Sequence, residues 1–136
     1  MQPTYIAYPT RRAPRWMVVD DDRHLLELVE LMLQELFAVE VECFDSPLTA
    51  LAALTAAPQD YALVLTDFQM PRMNGADFCA RVLELVPTLK VYLMTGSGFF
   101  NESSARRLGF EGLLEKPFSA DGLQNLLSAH VCLNQN

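Results

Sequence analysis

Positive charge, cysteine and long apolar runs are all scarce in this 136-residue sequence. No apolar stretch approaches the roughly 20 residues a helical membrane span requires. Pro3, Pro9, Pro14, Arg11 and Arg12 break up the first fourteen residues, which therefore lack the apolar core of a secretory signal. Cys43, Cys79 and Cys132 are odd in number, widely spaced and without a C-x-x-C pair, which argues against a disulfide framework and a zinc site. A soluble protein of the reducing cytoplasm is expected. Ten Lys and Arg face 17 Asp and Glu, for a net charge of −7. Three of the ten (Arg11, Arg12, Arg15) precede residue 16, so the body alone stands at seven against 17, or −10. Such a surface repels phosphate backbones and anionic lipid, so direct nucleic-acid binding and membrane insertion are not expected, while divalent cations are attracted. Gly96-Ser97-Gly98 lacks the longer glycine pattern and the Lys-Ser/Thr of a nucleotide loop. His24 and His130 have no partners at ligand spacing and read as surface or partly packed residues.

What is present is apolar material in regular order. At 51% apolar residues the chain can bury one core of a single domain. Short runs rich in branched residues, at 16–19, 39–44, 62–66, 90–94 and 112–114, read as strands. Between and after them, helical spacing marks 23–37, 47–56, 75–86, 101–108 and 120–132. Punctuation agrees: Asp22, Ser46 with Pro47, and Ser119 suit helix starts, Pro58 and Pro87 suit stops, and Gly109 suits a left-handed helix end. In the first helix Leu25, Leu28, Val29, Met32 and Leu36 form a stripe to lay on a sheet. Regular βα alternation predicts an α/β fold, a five-stranded parallel sheet doubly wound by helices on both faces. The expected organisation is a flexible basic arm over 1–14, the domain over 15–133 and a tail at 134–136.

In open parallel sheets, chemistry collects beyond the carboxyl ends of the strands. There the sequence places Asp20-Asp21-Asp22, Thr66-Asp67, Thr95 and Glu115-Lys116-Pro117. Asp20, Asp21 and Asp67 would crowd three carboxylates together, which like-charge repulsion forbids unless protons or a cation intervene. Mg²⁺, or Mn²⁺ in its place, suits hard oxygen ligands and commonly bridges carboxylates to a phosphate. One carboxylate can then accept a phosphoryl group as an acyl phosphate, with Lys116 supplying further positive charge and Thr95 a hydroxyl donor. Asp22 alone reads as a helix cap. Pro71 and Gly75 read as loop shaping, the glycine through backbone angles other residues resist. Phe99 and Phe100 read as packing residues.

Met17-Val18-Val19-Asp20-Asp21-Asp22, Leu65-Thr66-Asp67-Phe68-Gln69-Met70-Pro71 with Asn74-Gly75, Met94-Thr95-Gly96 and Glu115-Lys116-Pro117-Phe118 together resemble the bacterial response-regulator receiver over residues 16 to about 132. The resemblance implies strand order 2-1-3-4-5 and a phosphoacceptor at Asp67. It implies Mg²⁺ held by Asp21, Asp67 and the backbone carbonyl of Gln69, with Asp20 assisting. Lys116 and Thr95 would bind phosphoryl oxygens, and Lys116–Pro117 would be a cis peptide. The implied partners are a histidine kinase or a histidine phosphotransfer protein, an unidentified downstream protein, and in some receivers a second copy of the chain. The implied role is a phosphorelay switch with slow self-dephosphorylation, a signalling domain and not an enzyme.

Two features depart from the family pattern. Leu113 stands where the family commonly carries a Tyr or Phe that swings inward on activation. The stretch from Gly96 to Leu108 is short, which resembles receivers fused to hybrid histidine kinases. No output domain is expected within this chain, whether it stands alone or was part of such a kinase. The alternatives are a phosphorylation-independent interaction module and a haloacid-dehalogenase-like phosphatase. The latter motif wants Thr or Val where His24 stands. The intact set of acids, threonine and lysine argues against the former.

Overall fold

The computed structural model describes residues 14–96 and 98–134, with side chains to residue 128. The expected arm over 1–14, save Pro14, lies outside the described residues, as do Ser97, residues 135 and 136, and the side chains of His130 and Cys132.

The elements run β1 (Arg15–Val19), α1 (Arg23–Phe37), β2 (Val41–Phe44), α2 (Pro47–Ala56), a 3₁₀ turn (Pro58–Asp60), β3 (Tyr61–Asp67), α3 (Gly75–Leu85), β4 (Lys90–Gly96), α4 (Glu102–Arg107), β5 (Gly112–Lys116) and α5 (Ala120–Asn134). All strand pairs are parallel, in the order β2-β1-β3-β4-β5. This is the doubly wound sheet that the βα alternation predicts. β2 begins at Val41, later than the apolar run, because Ala38 takes a left-handed conformation (φ 52°) to end α1 and the chain must turn before it can pair.

Alternation along each strand divides the core in two. Met17, Val19, Val64, Val91 and Leu93 face α2, α3 and α4, meeting Ala50, Leu54, Phe78, Val82 and Ala105. Trp16, Val18, Leu63, Leu65, Met94 and Leu114 face α1 and α5, meeting Leu26, Val29, Leu33, Leu123 and Leu127. Within α1 the buried row is thus Leu26, Val29 and Leu33, with Leu25, Met32 and Leu36 half-buried beside it. Leu28, expected in the stripe, is 51% exposed. The helix carries leucine around most of its circumference, so helical spacing alone fits two faces and the sheet selects one.

Helix ends are secured locally. Asp22 accepts from the N–H groups of His24 (3.0 Å) and Leu25 (3.3 Å), and Ser46 accepts from that of Leu48 (3.1 Å). Asn74 caps α3 through the Asp77 N–H (2.9 Å). Asn101 and Ser104 form a reciprocal capping box that supports the six-residue α4. Gly109 has the left-handed φ of 104° predicted for a helix end.

Candidate functional site

The register of the sheet assembles the site. Val19 lies level with Thr66, Asp67 with Met94, and Gly96 with Lys116. Asp20, Asp67 and Lys116 continue the alternating rows of Val18, Leu65 and Leu114 that face α1 and α5, so they emerge at the carboxyl edge on one side. Thr95 continues the row of Leu93 on the other. These residues, with Asp21, Gln69, Phe68, Phe99 and Phe100, line a cleft of about 590 Å³.

Lys116 Nζ donates to Asp20 Oδ2 and to Asp67 Oδ1, 3.0 Å in each case. The Asp22 N–H donates to Asp20 Oδ1 (2.9 Å), so both oxygens of this carboxylate, only 1% exposed, are engaged. Asp67 and Thr95 are buried, and Asp21 is exposed. Burial pushes the Asp20 carboxyl up, with the Asp67 charge adding to it and the Asp22 N–H and Lys116 opposing. Burial would lower the Lys116 ammonium, but hydrogen bonds to Asp20 and Asp67 outweigh it and hold the lysine above its ordinary value, as a cation.

The cleft therefore gathers three carboxylates, two of them bonded to one ammonium. Oxygens of Asp20, Asp21 and Asp67 lie within 4.8 Å of one another. This donor set fits a hard divalent cation: all ligands are oxygens, the charge they share exceeds what Lys116 neutralises, and exposed Asp21 leaves an open approach for ion and water. Gln69 is exposed and lines the same cleft.

The phosphoacceptor candidate is also held by its backbone. Thr66 Oγ1 donates to the Asp67 carbonyl (2.9 Å), and the Gly75 N–H donates to the Phe68 carbonyl (2.7 Å). A Cβ on Gly75 would stand 2.6 Å from the Asp67 carbonyl oxygen. Glycine is required there by close approach, and the expectation that it serves unusual backbone angles is corrected accordingly. The Lys116–Pro117 peptide is cis.

Leu113 lies outside the cleft. It is half-buried against the core beneath α2–α4 and lines a separate cavity of about 330 Å³ with Phe100, Asn101, Glu102 and Glu115. Phe100 lines both cavities, and its ring meets that of Phe68 at 4.8 Å between centroids. Phe99, read from sequence as packing, is 71% exposed. The Phe68–Phe100 pair and the Thr66 hydroxyl escape sequence reasoning, since only folding brings Phe100 to Phe68 and sets the Thr66 hydroxyl on the Asp67 carbonyl; adjacency to Asp67 is the one signal that could have flagged Phe68 and Thr66. Burial, aided by Glu30, pushes Cys43 up to about 12, and burial pushes Cys79 up to about 11.

A doubly wound parallel sheet in the order 2-1-3-4-5, with a buried acid pair, a third acid and a lysine at its carboxyl edge, defines a domain of the flavodoxin-like α/β class. The chain belongs to the response regulator receiver domain family, whose sequence profile matches residues 16–128. It is 37% identical over 113 residues to the C4-dicarboxylate transport transcriptional regulatory protein DctD of Rhizobium meliloti, covering 82% of this chain and 24% of that protein. Protein PilG of Pseudomonas aeruginosa is 27% identical, with 85% of each chain covered. A response regulator receiver domain protein from Clostridium thermocellum superposes with a TM-score of 0.80 at 25% identity, over 90% of this chain and 98% of that one. The chain thus spans about a quarter of DctD and most of PilG. Among the described residues no helix is long and apolar enough to cross a membrane.

Proposed function

We propose that this receiver takes a phosphoryl group onto the Asp67 carboxylate from a phosphohistidine of a histidine kinase or histidine phosphotransfer protein, and so changes its affinity for a downstream protein. The observation that carries this reading is the position of Lys116 Nζ, 3.0 Å from both Asp20 and Asp67. The lysine already touches the reacting carboxylate and is charged, so it can pass to a phosphoryl oxygen as charge builds there.

Asp67 attacks phosphorus as the P–N bond breaks and the electron pair leaves on the imidazole nitrogen. No general base is required for a carboxylate nucleophile. The Thr95 hydroxyl donates to a phosphoryl oxygen, and Asp20 keeps Lys116 oriented throughout. Mg²⁺ held by Asp20, Asp21, Asp67 and the Gln69 carbonyl would supply the remaining positive charge. The acyl phosphate is lost slowly to water. Phosphorylation replaces one carboxylate charge with a group carrying up to two, which favours the conformer that brings Thr95 and Lys116 closest.

The signal leaves by repacking. Phe68 follows Asp67 directly, its ring contacts Phe100, and Phe100 precedes the Asn101 cap of α4. Leu113 packs beside this path and contributes no aromatic swing.

Intact-mass analysis after incubation with a small acyl-phosphate donor, with and without Mg²⁺, tests the proposal on the native chain and on Asp67→Asn. One Mg²⁺-dependent phosphoryl adduct, absent from the variant, is expected. Failure of every donor, phosphohistidine proteins included, would make a phosphorylation-independent interaction module the better reading.

A further inference from the structure

The charged floor of the cleft is matched by an aromatic rim that the charge chemistry leaves unused. Of its three phenylalanines, Phe68 and Phe100 pair with each other and pack onto the core. Phe99 does neither. It is the most exposed large apolar side chain among the described residues, at 71%, yet it lines the same cleft as Asp67, Thr95 and Lys116. Its ring passes close to Gly96, where an added Cβ would lie 3.8 Å from it. A ring left in water forgoes the stabilisation that burial would give it, so its place at the cleft mouth calls for an occupant with an apolar, planar face.

We propose that Phe99 recognises the phosphoryl donor by stacking on the imidazole of the incoming phosphohistidine. This rests on the reading of Asp67 as phosphoacceptor. The donor has two chemically distinct parts, a dianionic phosphoryl group and a flat aromatic ring, and the cleft offers a partner for each: the polar floor and the exposed ring of Phe99. Stacking holds the ring while the P–N bond breaks. The imidazole, protonated on its second nitrogen, leaves neutral with the bond's electron pair, and the phosphoryl group ends on the Asp67 carboxylate. Phe99 is a positioning residue for the leaving group and exchanges no proton.

The test compares two small P–N donors that differ in the ring, phosphoimidazole and phosphoramidate. Mg²⁺-dependent labelling rates are measured on the full chain, on Phe99→Ala and on Phe99→Trp. The expected result is a three- to tenfold fall in the phosphoimidazole-to-phosphoramidate rate ratio in Phe99→Ala, about what one aromatic contact is worth, with recovery in Phe99→Trp. If both donors label the native chain and the ratio is unchanged in Phe99→Ala, donor stacking is wrong and the phosphoacceptor reading stands. If neither small donor nor any phosphohistidine protein labels the native chain, the phosphoacceptor reading falls and takes this inference with it.

Discussion

The two ends of the sheet collect similar side chains and put them to different use. At the amino end, Arg15 binds Glu42 (2.8 Å) and Asp60 (3.1 Å) and lies 5.3 Å from the Tyr61 ring centre. The Tyr61 hydroxyl donates to Glu42 at 2.6 Å, and burial followed by that contact pushes the phenol up to about 12, so it remains a donor. The acid side chains there are 37% and 52% exposed, and water screens what Arg15 leaves uncompensated. At the carboxyl end, the side chains of Asp20 and Asp67 are only 1% and 12% exposed and share one lysine, with exposed Asp21 beside them. Burial decides the outcome. A screened cluster ties β1, β2 and the start of β3 together, whereas a desolvated one carries surplus negative charge that a cation would offset.

The largest effect is expected where the carboxyl end is held by its backbone. Gly75→Ala places a methyl 2.6 Å from the Asp67 carbonyl oxygen, and urea denaturation should show a loss of about 3 kcal/mol, the upper range for overpacking. An unchanged midpoint would mean that this edge yields to the added methyl. Mg²⁺ comes next. At a concentration one hundred times its Kd it should stabilise the chain by about 2.7 kcal/mol. Asp21→Asn should remove most of that gain, while Glu42→Gln should leave it intact.

The smallest effect is the most discriminating, because its sign differs between the two ends. Without divalent cations, Asp20→Asn should stabilise the fold at pH 7 by about 1 kcal/mol, since a buried ion in surplus is replaced by a neutral isostere. Glu42→Gln should destabilise it by about 1 kcal/mol through loss of a charge-assisted contact. The pH dependence follows from Asp20. Its folded carboxyl lies above the ordinary 3.8, so the folded state holds that proton more tightly. Its stabilising contribution is complete below pH 3.8 and is lost as pH rises through the folded value. Lys116, also raised, contributes below 10.5 and loses that contribution as pH rises through its own folded value. Denaturation curves across pH 4–7 should show the Asp20 loss in the native chain and its absence in Asp20→Asn. A parallel fall in both proteins would assign the loss to another carboxylate.

Most of the fold was legible in order and spacing. Among the described residues, branched runs alternating with helical periods located each of the strands and α-helices, and Asp22, Ser46 and Gly109 marked helix ends, because capping and turn chemistry act within a few residues. The 3₁₀ turn at Pro58–Asp60 was not foreseen, since three residues carry too little pattern. Likewise the face of α1 that is buried could not be read from a helix with leucine on most sides. The role of Gly75 was misassigned because sequence shows that a glycine is present without showing what approaches it.

For the site, sequence alone determined the chemical inventory and its address: three acids, a threonine and a lysine, each at the carboxyl end of a strand in an alternating α/β chain. Parity along a strand, a local property, then fixed which of them share a side. Tertiary structure decided the rest. It buried Asp20 and Asp67 while leaving Asp21 open, set Lys116 between the two buried acids, paired Phe68 with Phe100 and left Phe99 at the rim. Each of these depends on how loops distant in sequence pack around the strand ends, where desolvation and distance set the energy, and neither quantity exists until the chain has folded.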